Sequence, residues 1–178
     1  MPRLNIVDPA TATGRAKEIF DGPLKAMQLN IFKGIANSPA SLDFYLNASG
    51  ALKEGVLTDA EREAFQLAVS EANGCEYCLA AHTFIGKNAG LTEEQTVEAR
   101  RGEITGDPKL GAITKFAVAL HEKRGYVGDD DLAAFKGAGY DDAAVVEAIA
   151  TYALITFTNF FNHVHQTEID LPAYQKLS

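Results

Sequence analysis

Thr58-Asp59-Ala60-Glu61-Arg62-Glu63-Ala64-Phe65, followed by Ala72-Asn73-Gly74-Cys75-Glu76-Tyr77-Cys78-Leu79-Ala80-Ala81-His82, spells two helices with a break between them. Thr58 three residues before Glu61 is a capping box that opens the first helix. Ala64, Phe65, Leu67, Ala68 and Ala72 supply its apolar set. Asn73-Gly74 stops it, because glycine readily takes the left-handed conformation that ends a helix. Cys75 then begins a second helix that runs to about Asn88, with Gly90 as its terminator. On that helix, positions 75, 78 and 82 are i, i+3 and i+7, so two sulfurs and an imidazole share one face.

Helical signals continue on either side. Pro9 to Met27 holds a mixed amphipathic stretch interrupted by Gly22-Pro23. Ser38-Pro39 starts a helix to about Glu54, since proline is tolerated at the first helical position. Thr92-Glu93-Glu94-Gln95 is a second capping box. Further helices are predicted from about Pro108 to Lys123, Asp130 to Lys136 and Asp142 to Gln166. The tail from Glu168 to Ser178 reads as irregular, broken by Pro172. Period-2 alternation is absent, so the expectation is an all-α, single-domain helical bundle over residues 1–178.

A shift of 84 residues superposes Glu63, Cys75 and Cys78 on Glu147, Asn159 and Asn162. If this reflects a repeat, the chain contains two related helical hairpins, and only the first carries thiols.

The composition, 47% hydrophobic and 22% charged over 178 residues, is that of a globular domain with a real core. A net charge of −8 argues against nucleic acid or an anionic membrane surface as partner. The N-terminus has no apolar stretch of signal-peptide type. The most apolar segment, Ala143 to Phe161, is interrupted by Glu147 and several threonines and is not expected to span a membrane. A reducing cytoplasm is the expected compartment, where a vicinal thiol pair rests reduced and oxidises in turnover.

Two cysteines at Cys-x-x-Cys spacing in such a chain point to a redox couple or half a metal site. The helix N-terminus should favour a thiolate at either sulfur. His82 lies one turn beyond Cys78 and can take its proton, which favours Cys78 as the attacking sulfur and Cys75 as the resolving one. The reverse order is the alternative, because Cys75 is nearer the helix end. Glu63, on the preceding helix, could face His82 directly or through water and set its tautomer. Attack on a hydroperoxide would leave a sulfenic acid on Cys78, and Cys75 would condense with it to a disulfide. With no third cysteine, the reductant must be an external dithiol. A zinc site would need Cys75, Cys78, His82 and a fourth ligand such as His163 or His165, and no second Cys-x-x-Cys supports it. No metal or cofactor is expected.

Glu63, Cys75, Tyr77, Cys78 and His82 resemble the Glu-x11-Cys-x2-Cys-x3-His pattern of the alkylhydroperoxidase D-like family, within the carboxymuconolactone decarboxylase-like superfamily. Arg62-Glu63-Ala64 and Ala72-Asn73-Gly74-Cys75-Glu76-Tyr77-Cys78 look like its peroxidase-related branch. The resemblance implies an all-helical fold, a homotrimer or homohexamer, and peroxidase or thiol-disulfide activity without metal or haem. It assigns Cys78 as peroxidatic, Cys75 as resolving, and Glu63 with His82 as a proton relay. The chain departs at Tyr77, where the founding alkylhydroperoxidase D proteins carry a histidine.

Two other functions share this sequence: a thiol-independent enzyme of the carboxymuconolactone decarboxylase type, and a redox sensor whose disulfide alters its surface. His163 and His165 cannot share a helix face, so one should point out and one in. Phe157, Phe160 and Phe161 read as core or subunit interface. Asn159 and Asn162 are expected to satisfy buried backbone groups near the same pocket. His121 and the run Asp129-Asp130-Asp131 read as surface and helix N-terminus respectively.

Overall fold

Each expected start signal forms a cap. In the computed structural model, which describes residues 1–177, Thr58 Oγ1 accepts from the Glu61 N–H while Glu61 Oε2 accepts from the Thr58 N–H at 2.7 Å. The Thr92–Gln95 box closes in the same way. Ser38, Asp107 and Asp141 cap three more helices, the first two with proline at the first helical position. Among the described residues there are nine helices and no strand: α1 (Gly14–Asp21), α2 (Asn30–Ile35), α3 (Pro39–Lys53), α4 (Asp59–Ala72), α5 (Glu76–Asn88), α6 (Glu93–Arg100), α7 (Pro108–Glu122), α8 (Asp129–Gly137) and α9 (Asp142–His165).

Helix α4 is the axis of the fold and packs against α5, α6, α7 and α9. Its Ala64, Phe65, Leu67, Ala68 and Val69 are all buried, so the helix is apolar around most of its circumference, as a central helix must be. Glu61, Arg62 and Glu63 in its first half are buried too, and each has a partner. Glu61 meets Lys109 Nζ at 2.9 Å and accepts from the Tyr140 hydroxyl at 3.0 Å. Arg62 donates to the Leu57 carbonyl and to Asp59. Glu63 faces α5.

Helix α2 had no counterpart in the sequence reading. It is six residues long, and its first amides are capped from far away. The Asn30 N–H donates to Asp170 Oδ2 at 2.8 Å, and the Ile31 N–H donates to the Tyr77 hydroxyl at 3.4 Å. No local cap exists for a sequence to display.

Helix α9 is unbroken over 24 residues. By length and composition it could cross a membrane, with a mean hydropathy of 1.5 over an 18-residue window. Its inner face instead packs on α4, α3, α5, α7 and α2. Glu147 folds back from it to accept from the Val56 N–H at 2.7 Å and the Leu57 N–H at 3.0 Å. The 84-residue shift therefore does not yield a second hairpin. It sets Thr158, inside α9, opposite Gly74, and only a glycine at such a position invites the turn. The shift partners do meet in space, as described below.

Candidate active site

The thiol pair is placed by a Schellman turn. Gly74 has φ +66°, its N–H donates to Glu71 O, and the Cys75 N–H donates to Ser70 O at 2.9 Å. Cys75 thus closes α4 and opens α5, whose N-cap it is. Its sulfur accepts from the Cys78 N–H at 3.4 Å. The two sulfurs are 2.7 Å apart, and both cysteines are free. Little movement separates this from the roughly 2.05 Å of a disulfide.

Both cysteines are buried, yet only Cys78 lines a cavity of about 480 Å³ that opens to the surface. Glu63 and His82 are in the same wall. Most of the rest is apolar: Leu24, Ile31, Phe32, Leu46, Ile85 and Leu154. Helices α4 and α5 approach closely here. At Gly86 an added Cβ would stand 3.4 Å from Glu63 Cβ, touching α4, and 3.0 Å from Leu91 Cδ1, so a side chain would crowd Leu91.

Glu63 Oε2 is 2.7 Å from His82 Nδ1, a direct contact without an intervening water. A carboxylate only accepts, so Nδ1 carries the hydrogen, and it is the neutral ring that has its lone pair on Nε2. Glu63 Oε1 also accepts from Gln66 Nε2 at 3.1 Å, which fixes the carboxylate on its far side. His82 bonds to Glu63, whereas the Cys78 sulfur bonds to Cys75 and Asn162.

The helix terminus was expected to lower either thiol, with Cys78 favoured as the thiolate. The structure separates the two. The Cys75 thiol is pulled below its ordinary value, first by its contact with Cys78 against the cost of burial, then by the Cys78 N–H and Asn162. Burial pushes Cys78 well up, and the neighbouring Cys75 sulfur adds to this. The pair therefore loses its first proton readily and its second with difficulty, and the first charge rests mainly on the inner sulfur.

Asn159 and Asn162 were expected to satisfy backbone groups and instead bind side chains. Asn162 Nδ2 donates to Cys78 Sγ at 3.2 Å and lies 3.9 Å from Cys75 Sγ. Asn159 donates to Ser70 Oγ at 3.3 Å and accepts from Asn73 Nδ2 at 2.8 Å, tying α9 to the turn before Cys75. Cys78 and Asn162 are shift partners, 84 residues apart. Tyr77 donates to Asp170 Oδ1 at 2.8 Å, so its hydroxyl holds the C-terminal tail. Tyr45 lines the cavity without having been singled out by any spacing. Burial first, then the nearby Glu63 and Cys78, push its phenol up to about 12.

His165 is buried and accepts from the Leu4 N–H at 3.3 Å, while His163 is exposed, so one points in and one out. His121 is half-buried rather than exposed, 3.3 Å from the Tyr152 hydroxyl. Asp131 caps α8 through the Gly128 N–H at 2.8 Å. Among the described residues, no three His, Cys, Asp or Glu side chains come together to hold a metal ion.

Residues 39–118, which carry Glu63, both cysteines and His82, match the carboxymuconolactone decarboxylase family. That match, with the relatives that follow, supports a likeness to the alkylhydroperoxidase D-like proteins of that superfamily. A 39-residue stretch is 49% identical to the alkyl hydroperoxide reductase AhpD of Mycobacteroides abscessus, spanning 22% of this chain and 22% of that protein. The alkylhydroperoxidase D-like fold extends over nearly the whole molecule. A peroxidase-related protein from Ralstonia eutropha, with an alkylhydroperoxidase AhpD core, superposes with a TM-score of 0.81 at 21% identity, covering 95% of this chain and 92% of that one. A peroxidase-related protein from a Silicibacter species gives 0.78 at 17% identity, covering 93% and 89%. A cysteine-to-alanine variant of the debrominase Bmp8, in complex with 2,3,4-tribromopyrrole, gives 0.79 at 15% identity, covering 96% and 92%. At these identities the structures share a fold with this chain.

Proposed function

We propose that this alkylhydroperoxidase D-like protein is a cofactor-free thiol peroxidase that cycles Cys75 and Cys78 between dithiol and disulfide. One observation carries the reading: the cavity-lining Cys78 has a second sulfur 2.7 Å behind it and the Glu63–His82 pair in the same cavity wall. A hydroperoxide entering the cavity meets Cys78 first. The Cys78 thiolate attacks the terminal oxygen, the O–O bond breaks, and the alkoxide leaves as the alcohol after taking a proton. Cys78 is now a sulfenic acid. Cys75 attacks its sulfur, the S–O bond breaks, and hydroxide leaves as water after taking a proton. The Nε2 lone pair of His82 receives the thiol's proton and returns it to the leaving oxygen, with Glu63 holding the imidazolium. An external dithiol then reduces the disulfide, in keeping with a reducing cytoplasm as the place of work.

The test is hydroperoxide consumption with dithiothreitol as reductant. Turnover by wild type, none by Cys78→Ser, and a collapse in Glu63→Gln are expected. Equal turnover by wild type and Cys78→Ser would remove the thiols from the reaction.

The cavity favours a second reading. Its apolar wall beside a dithiol suits reductive removal of bromine from an aromatic ring, and one structural neighbour is named a debrominase. In this chain the carbon–bromine bond would be replaced by carbon–hydrogen with a proton from the thiols, bromide would leave, and the dithiol would become a disulfide. Bromide release from 2,3,4-tribromopyrrole under the same conditions distinguishes the two.

A further inference from the structure

Asn162 has a donor side and an acceptor side, and only the donor side is used. Its Nδ2 is 3.2 Å from Cys78 Sγ and 3.9 Å from Cys75 Sγ, while its buried Oδ1 has no partner. A buried amide oxygen left bare is costly. The contact that holds this amide in place is the one to the sulfurs. An amide nitrogen carries two hydrogens, and here two sulfurs lie within reach of them.

The chemistry above needs charge on each sulfur in turn. Attack requires a thiolate on Cys78, the sulfur in the cavity wall. Ring closure requires a thiolate on Cys75, with Cys78 oxidised. Resting on that dithiol cycle, we propose that Asn162 is a catalytic residue whose amide donates to both sulfurs in succession, to Cys78 during attack and to Cys75 during disulfide closure. Its closer approach to Cys78 lets negative charge reside on the cavity-facing sulfur despite burial. Proton exchange across the 2.7 Å gap moves that charge between the two.

The titratable groups around the sulfurs come from three elements: Tyr45 on α3, Glu63 on α4, and Tyr77 and His82 on α5. Helix α9 contributes the amides Asn159 and Asn162. A pH profile therefore needs Asn162 variants compared at fixed Glu63, His82, Tyr45 and Tyr77.

The discriminating substitution is Asn162→Leu. It removes the donor, keeps the number and branching of heavy atoms at a somewhat larger volume, and deletes the unpaired oxygen, so a melting temperature close to wild type is expected and is measured alongside. The first readout is the alkylation rate of Cys78 by iodoacetamide against pH, in the Cys75→Ser background and in the full dithiol. Loss of a hydrogen bond to a charged sulfur should move the midpoint up by about one pH unit and slow alkylation at neutral pH roughly tenfold. Asn162→Ser, whose hydroxyl falls short of the sulfurs, should shift it in the same direction. The second readout is disulfide closure after a peroxide pulse, which should slow in both variants. A shifted alkylation profile with thermal stability retained supports the assignment even if wild type fails to consume peroxide, in which case the peroxidase reading alone falls. An unmoved alkylation profile in both variants overturns it.

Discussion

Glu63 and His82 are 19 residues apart on different helices, and their 2.7 Å contact decides which imidazole nitrogen can act as a base. Glu63→Gln keeps the shape but can offer an N–H to Nδ1, which would reverse the tautomer and put the hydrogen on Nε2. We predict a loss of roughly a hundredfold in the rate of peroxide reaction, with thermal stability little changed; stopped-flow kinetics with a melting curve would check both. The sulfurs make a second prediction. Thiolate fraction rises with pH, so a lowered first ionisation and a raised second one give two steps. One equivalent of alkylating reagent should react below the pH at which free cysteine does, and the second only above it. A single step with both equivalents would refute the shared charge. These residues were legible because their spacing is local: Cys75, Cys78 and His82 share one helix, and Glu63 lies on the preceding one. Asn162 was only half legible: the 84-residue shift pairs it with Cys78, but nothing in an asparagine on a helix says that its amide meets a sulfur rather than a backbone group. The ranking of the two thiols was not legible, because it depends on burial and on a sulfur–sulfur distance.

At the scale of the element, caps written in the sequence were read correctly, and caps supplied from a distance were missed. Helices α3 to α9 carry their start signals within three residues of the first turn. Helix α2 takes its amide partners from Asp170 and Tyr77, so it became visible only once the tail was in place. The same tail is tied down by Asn30 Nδ2 to Glu168 O at 3.1 Å and Lys176 to Glu76 at 2.8 Å. Tyr77→Phe should release the tail at a cost of about 1–2 kcal/mol, seen as faster amide exchange over residues 166–177 and at Asn30 and Ile31. Unchanged exchange there would mean that the tail is held elsewhere. Gly74→Ala should cost about 1–2 kcal/mol through its left-handed φ of +66°, with thiol reactivity altered because Cys75 follows directly; chemical denaturation and alkylation would read the two effects. The unbroken α9 is the counterpart of that turn, since Thr158 offers no such freedom.

Across the whole molecule, the segment from α1 to α3, whose α2 and α3 pack on α9, supplies much of the apolar cavity wall through Leu24, Ile31, Phe32 and Leu46. No spacing in the sequence announces that wall, because it is built from short elements brought together by tertiary packing. The all-helical class was legible from capping and periodicity, and the cavity was not. On the outside, Val146, Ile149, Phe160 and Val164 leave an apolar stripe along α9, with Phe44 packed edge-on against Phe157 beside it. We propose that a homotrimer or homohexamer covers this stripe. Sedimentation should then return a multiple of 19.1 kDa, reduced by Phe160→Glu, whereas a 19.1 kDa wild-type species would refute the assembly. The central claim concerns the sulfurs. Its most direct test is a single peroxide pulse on the fully reduced protein, followed by intact mass and free-thiol count in wild type, Cys75→Ser and Cys78→Ser. The account predicts rapid loss of both thiols as a disulfide in wild type, one added oxygen trapped in Cys75→Ser, and no fast reaction in Cys78→Ser. Wild-type thiols that react no faster than free cysteine would contradict it.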